Sequence, residues 1–85
     1  MSRHIARLIL LDTVDKVKDF VQQTLKFMRE SEVSSGRYVV DAKSIIGVLS
    51  LDLSKPVTFT YSEDDEELAK MLVGKYFYKE KRTAK

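Results

Sequence analysis

The segment Pro56-Val57-Thr58-Phe59-Thr60-Tyr61-Ser62-Glu63-Asp64-Asp65 decides the fold class. Apolar side chains at positions 57, 59 and 61 alternate with threonines, which is the period of a strand with one face buried and one face in water. Pro56 opens this strand and Ser62 ends it, and Ser62 together with Asp65 resembles a capping box. The acidic run from Glu63 to Glu67 suits the amino-terminal dipole of a following helix. The segment therefore predicts an antiparallel sheet with helices on one face.

A final helix follows the acidic run. Its apolar stripe recurs at three- and four-residue steps and consists of Leu68, Met71, Leu72 and Tyr76. Basic residues gather at the end of this helix and beyond it, where the carboxyl-terminal dipole favours positive charge; they are Lys75, Lys79, Lys81, Arg82 and Lys85. We expect a solvated basic tail from about residue 79.

The amino-terminal third predicts a strand and a helix. Residues 5–11 form a short run rich in Ile and Leu, which is typical of a buried strand, and Asp12-Thr13 follows as a helix cap. An amphipathic helix is predicted from about Val14 to Arg29. Its apolar stripe consists of Val14, Val17, Val21, Leu25 and Met28.

The middle of the chain predicts two short strands and a short helix. The pattern of residues 30–35 indicates a secondary structure least clearly. We expect a connection and a second strand that turns at Gly36. Residues 37–42 alternate as a third strand. Residues 43–51 fit a strand or a helix by periodicity; because Ser44 is a good N-cap and Gly47 weakens a strand, a short helix is favoured.

The predicted order is β-α-β-β-α-β-α, an α+β fold. With 85 residues the chain is near the lower end of what folds around one core, so we expect residues 1–85 to form a single domain. Apolar residues make up 44% and charged residues 33%, which excludes a disordered chain and a membrane protein. The first apolar run is interrupted by Arg7 and is too short for a targeting signal, so a cytoplasmic location is the default expectation.

Composition also excludes several kinds of site. The absence of cysteine removes disulfides, thiol catalysis and cysteine-based zinc sites, and the single histidine, His4, leaves no histidine cluster for a metal. The acidic run lacks the spaced oxygens and the glycine of a calcium loop. A net charge of +2 is too small to indicate nucleic-acid binding. We therefore expect no metal, no cofactor, no nucleic acid and no membrane insertion.

Three segments carry a resemblance to a known family. Residues 42–51 (AKSIIGVLSL) resemble the regulatory-serine segment of HPr, the histidine-containing phosphocarrier protein of the sugar phosphotransferase system. Residues 20–27 (FVQQTLKF) resemble the interior of that family's first helix, and residues 57–61 with the acidic run and last helix resemble its carboxyl end. The likeness covers about residues 5 to 78 and implies the HPr-like two-layer open-faced sandwich.

The resemblance also indicates a missing catalytic group. The family's signature is a histidine-alanine-arginine-proline run at the start of the first helix, and alignment back from Phe20 places Thr13, Val14, Asp15 and Lys16 there. A threonine hydroxyl without an adjacent base is a poor nucleophile, and its phosphate ester is too stable to be an efficient donor. At ~5 Å and an effective dielectric constant of ~20 to 80, a carboxylate in place of the arginine costs roughly 2 to 7 kcal/mol of phosphate binding. We therefore expect no catalytic residue, and an enzyme is not favoured.

The regulatory-serine segment has a functional and a structural interpretation. The resemblance implies phosphorylation of Ser44 by a serine kinase, and an N-cap role for Ser44 is compatible with it. It also implies that some of Ile45, Ile46 and Leu49 form an exposed docking patch for enzyme I, sugar permease components or regulators. Any of the three is equally suited to the core.

Three functional hypotheses follow. The first is a non-catalytic HPr relative that binds a protein partner, either a phosphotransferase system component or a regulator. The second is an atypical phosphocarrier that uses His4, although a strand-end or surface histidine is the plainer interpretation. The third is an effector switched by phosphorylation of Ser44. Nothing in the sequence identifies an oligomer interface.

Overall fold

The structure, a computed structural model, describes residues 3–78 of the chain. The elements are β1 (His4–Ile9), α1 (Val14–Thr24), β2 (Glu32–Ser35), β3 (Tyr38–Asp41), α2 (Ile45–Leu49), β4 (Val57–Ser62) and α3 (Glu66–Tyr76), with a 3-10 turn at Glu63–Asp65. This order confirms the predicted α+β arrangement. The predicted basic tail from about residue 79 lies outside the described residues.

The strands form one antiparallel sheet in the order β1-β4-β2-β3. On the central strand β4, Phe59 lies opposite Arg7 of β1 and Val33 of β2. Val57, Phe59 and Tyr61 are all buried, as the period-two pattern predicted, whereas Thr58 and Thr60 are half-buried on the other face. The sheet therefore has a core face and an open face.

Helices cover the core face through aromatic and aliphatic packing. Phe20 of α1 meets Phe59 edge to face, with ring centroids 4.9 Å apart, and Phe27 lies 6.0 Å from the same ring. Val48 of α2 and Leu72 of α3 complete the cluster from the other two helices. Aromatic pairs in this geometry contribute about 0.5–1.5 kcal/mol beyond their buried area.

The turn between β2 and β3 requires its glycine. Ser35 pairs with Tyr38 across a loop of two residues, and Gly36 has a φ of +60°. Arg37 has no positive φ. This combination is a type II′ turn, in which glycine at the first central position avoids a steric clash. The predicted turn at Gly36 is confirmed.

The first helix is shorter than predicted, since it ends at Thr24 and not near Arg29. The hydroxyl of Thr24 donates to the carbonyls of Val21 and Ala42, at 2.7 and 3.0 Å. The predicted apolar stripe is wrong at both ends, because Val14, Leu25 and Met28 are 54%, 59% and 76% exposed.

A buried carboxylate holds the chain that leaves α1. Asp65 is 4% exposed, and its two oxygens accept the backbone N–H groups of Met28 and Arg29, each at 2.8 Å. The predicted capping box is therefore wrong: Ser62 accepts from Asp64 N–H, at 3.1 Å, while Asp65 reaches across the molecule. The carboxylate supplies acceptors that a continued helix would have provided.

The buried stripe of α3 also differs from the prediction. Its buried residues are Ala69, Leu72 and Tyr76, whereas Leu68 and Met71 are exposed. Residues 68, 71 and 72 and residues 69, 72 and 76 both have helical spacing. The second set was not predicted from the sequence, because the small side chain of Ala69 contributes little to a hydrophobic pattern.

An ionic contact ties α3 to α1. Asp19 accepts hydrogen bonds from the Lys75 ammonium, at 2.8 Å, and from the Tyr76 hydroxyl. The hydrogen bond from Lys75, followed by that from Tyr76, lowers the pKa of the Asp19 carboxyl. Both donors favour the charged carboxylate, so this contact fixes the end of α3 against α1 at neutral pH.

Replacing Asp65 tests the role of the buried carboxylate. Asp65→Ala leaves the amides of Met28 and Arg29 without acceptors, so we expect the free energy of unfolding to fall by about 2–4 kcal/mol. Urea unfolding followed by circular dichroism measures the loss. Asp64→Ala is the matched control, because Asp64 makes only a surface ion pair with Arg29, at 3.0 Å. It should cost less than about 1 kcal/mol. Equal losses for the two variants would contradict the assignment.

Candidate functional site

The amino terminus of α1 is built as a helix cap. Thr13 has an extended backbone, and its hydroxyl oxygen accepts the N–H of Lys16 at 3.2 Å. Asp15 is exposed in the first turn, where its negative charge is attracted by the positive end of the helix dipole. Sequence and structure agree that these side chains begin the helix.

A second carboxylate, that of Asp12, adds negative charge at this terminus. The ammonium of Lys16 contacts Asp12 at 2.7 Å, and the hydrogen bond from Lys16 lowers the pKa of the Asp12 carboxyl. Asp12 and Asp15 therefore both lie at this helix start, and Lys16 is already paired with Asp12. Backbone N–H groups attract anions at helix starts, but here two carboxylates oppose a phosphate.

His4 lies at the opposite end of β1 from the entry to α1. It is the first residue of β1 and pairs with Ser62, whereas the chain reaches α1 only after Ile9, the last residue of the strand. Five strand steps of about 3.3 Å separate the two ends by roughly 16 Å. The structure does not bring His4 and Thr13 together.

Ser44 is the N-cap of α2, as predicted. Its hydroxyl oxygen accepts the N–H of Gly47 at 3.0 Å, and its side chain is half-buried. A Cβ on Gly47 would lie 3.0 Å from the Ser44 oxygen and 3.2 Å from Cβ of Val40. Gly47 therefore lets α2 approach both its own cap and β3, a role that sequence reasoning had not assigned.

The three docking candidates on α2 separate into two groups. Ile46 is 79% exposed and Leu49 is 41% exposed, whereas Ile45 is half-buried against the core. Helix α2 packs against α1, and the hydroxyl of Thr24 joins α1 to Ala42 just before α2. The exposed apolar residues Ile46 and Leu49 therefore lie on a helix that packs beside α1.

Sequence reasoning missed a second apolar region on the helical side. A groove of about 290 Å³ lies between α1 and α3, with Phe27 and Leu72 in its wall beside the exposed Leu68 and Met71. Its rim carries Asp19, Gln23, Lys26 and Lys75. The exposed residues had been assigned to the buried stripe of α3, so only the packed structure identifies this groove.

Two negative findings hold for residues 3–78. These residues contain no group of three or more histidine or acidic side chains placed to hold a metal ion. Their helices are all too short or too polar to cross a membrane.

Comparison with known proteins identifies relatives among solved structures. No family model and no curated protein matches the chain. HPr-C-His from Thermoanaerobacter tengcongensis is 32% identical, with a TM-score of 0.68, and the match covers 85% of this chain and 88% of that one.

A second solved structure is more distant in sequence. The phosphocarrier protein HPr from Bacillus anthracis str. Ames is 23% identical, also with a TM-score of 0.68, over 88% of this chain and 96% of that one. This likeness supports the fold alone. The 32% identity with the Thermoanaerobacter protein extends over most of both chains, and on that ground the chain belongs to the HPr family of phosphocarrier proteins.

Proposed function

We propose that the chain is a non-catalytic member of the HPr family that binds a phosphotransferase system component or a regulator. Its docking surface is formed by Ile46 and Leu49 of α2, beside α1. Thr13 and Asp15 stand where the resemblance puts the phosphocarrier histidine and its arginine. The helix start supports the proposal most directly, because it carries the carboxylates of Asp12 and Asp15 and its Lys16 is already paired with Asp12.

The chemistry of phosphate relay explains why this helix start is inactive. The carrier group must be nucleophilic near neutral pH and must form a phosphoramidate that is reactive enough to pass the group on. The hydroxyl of Thr13 accepts a backbone N–H, and a phosphothreonine ester holds its phosphate too firmly. The second hypothesis, transfer through His4, gains no support because His4 lies at the far end of β1.

Phosphorylation by enzyme I tests the absence of relay. After incubation with phosphoenolpyruvate and enzyme I, we expect no acid-labile phosphate on the chain by intact mass measurement, with the Bacillus anthracis HPr as positive control. The double variant Thr13→His, Asp15→Arg should gain the adduct, because it restores both an imidazole and a cation. Thr13→His alone should gain less, since Asp15 still repels the phosphate.

Two outcomes would contradict this proposal. An adduct on the unaltered chain shows that relay survives, and its loss in His4→Ala assigns that relay to His4. A double variant that folds but takes no phosphate shows that Thr13 and Asp15 do not occupy the relay positions.

Competition for enzyme I tests the docking surface. The chain should slow phosphorylation of the Bacillus anthracis HPr, because it occupies enzyme I without accepting phosphate. Ile46→Asp should weaken this inhibition by about 30-fold or more, since a charge in place of a buried isoleucine at an interface centre costs about 2 kcal/mol. Met71→Asp is the matched control, because Met71 is 74% exposed but lies on α3. Equal inhibition by both variants would remove α2 as the docking surface, and no inhibition by the unaltered chain would remove enzyme I as the partner.

Regulation through Ser44 is a second candidate, favoured by the position of this cap beside Ile46. A phosphate on Ser44 stays compatible with a helix amino terminus and adds negative charge next to the docking surface. Incubation with the serine kinase and ATP should add one phosphate, which Ser44→Ala removes. Ser50→Ala is the control, because Ser50 is exposed at the other end of α2. No gain of mass, or an undiminished gain in Ser44→Ala, would eliminate this regulation.

A further inference from the structure

The open face of the sheet carries a groove that the proposed function does not use. Its volume is about 520 Å³, and it lies on the side of the sheet opposite to the core. Side chains from all four strands and from the segment before β2 line it, among them His4, Glu30, Glu32, Val39, Asp41 and Thr60.

The groove has an unbalanced negative charge. Glu32 lies directly opposite Asp41 in the β2–β3 register, so two carboxylates face each other across neighbouring strands. Like charges in this arrangement destabilise a sheet. Within residues 3–78, neither these two groups nor Glu30 forms an ion pair with a lysine or arginine. The carboxylate of Asp41 accepts a hydrogen bond from the backbone N–H of Lys43, at 2.9 Å.

Strand β3 presents free backbone groups beside these carboxylates. It is the last strand in the sheet order, so one of its sides has no neighbouring strand among the described residues. The two-residue turn makes Ser35 and Tyr38 a hydrogen-bonded pair, and pairs alternate along an antiparallel ladder. The N–H and C=O of Val39 therefore point away from β2, and its side chain is 57% exposed on the groove face.

We propose that β3 and the groove bind an extended segment of a partner protein with Lys or Arg at alternate positions. The segment adds to the free edge of β3 as a further strand, and Val39 supplies backbone hydrogen bonds. Because side chains alternate between the two faces of a strand, every second residue of the segment then lies on the groove face, beside Asp41 of β3 and one strand away from Glu32 of β2. Charge complementarity selects the cationic segment, and the site lies on the opposite side of the sheet from Ile46.

The same charges disfavour a second copy of the chain as the occupant. Pairing of β3 with β3 would bring another Glu30, Glu32 and Asp41 to the sheet edge and increase the repulsion. A cationic partner instead neutralises carboxylates that have no counter-ion within the described residues.

Two synthetic peptides of opposite charge test the proposal. Acetyl-(Lys-Val)3-amide should give saturable amide shifts in ¹⁵N NMR, centred on Tyr38–Asp41 and weakened by added salt. Acetyl-(Glu-Val)3-amide should give none. Equal binding of the two peptides, or shifts centred on α2, would overturn the proposal.

Charge reversal at Glu32 separates lost binding from lost folding. Glu32→Lys should weaken the Kd of the lysine peptide by about five- to thirtyfold, because an attraction becomes a repulsion. It should also raise the urea midpoint of the free protein, since a lysine then lies opposite Asp41. Glu67→Lys, an equal charge change on α3, should alter the Kd by less than about twofold. An unchanged Kd in Glu32→Lys refutes the site. A dimer of the free protein that Val39→Pro dissociates assigns the edge to a second copy instead, because proline lacks the N–H that a further strand needs.

Discussion

The packing of Phe59 is the constraint on which the rest of the fold depends. Phe59 lies on the central strand, with Arg7 opposite on one side and Val33 on the other, and it is fully buried. Its ring contacts Phe20, which fixes α1 over the sheet, and the ring centroid of Tyr61 lies 5.0 Å away. Once α1 is fixed, its amino terminus and the adjoining α2 have defined positions. The candidate site is thus held by a residue that takes no part in its chemistry.

Capping and phosphate relay make different demands on the same helix start, which is the basis of the proposal that this family member keeps the first and has lost the second. An N-cap needs only a side-chain oxygen that accepts a backbone N–H, which Thr13 supplies. Relay needs an imidazole and a nearby cation. Asp15 interacts favourably with the helix dipole but would repel a bound anion, so in the function proposed above the residues that suit the helix are those that disfavour phosphate binding.

The sequence correctly predicted the structural features that depend only on residues close together in the chain. The alternation in β4, the cap at Ser44 and the turn at Gly36 are local, and all three are present. The end of α1 could not be predicted, because Asp65 binds Met28 and Arg29 from 37 and 36 residues away. Nor could the sequence separate Ile45 from Ile46: both are isoleucine in a helix of five residues, and packing alone decides which is exposed.

The arrangement of charges on the open face could not be predicted from the sequence either, because it depends on strand register. Glu32 and Asp41 are nine positions apart in the sequence, and only the hairpin that turns at Gly36 places them opposite each other. Their repulsion costs little in a sheet whose other face is densely packed, so the fold tolerates it. The repulsion between Glu32 and Asp41 can also be reduced by a cationic partner that binds beside them. The exposed residues of α2 and the groove on the open face therefore differ in character: the first are apolar, the second carries Glu30, Glu32 and Asp41, and the sheet lies between them.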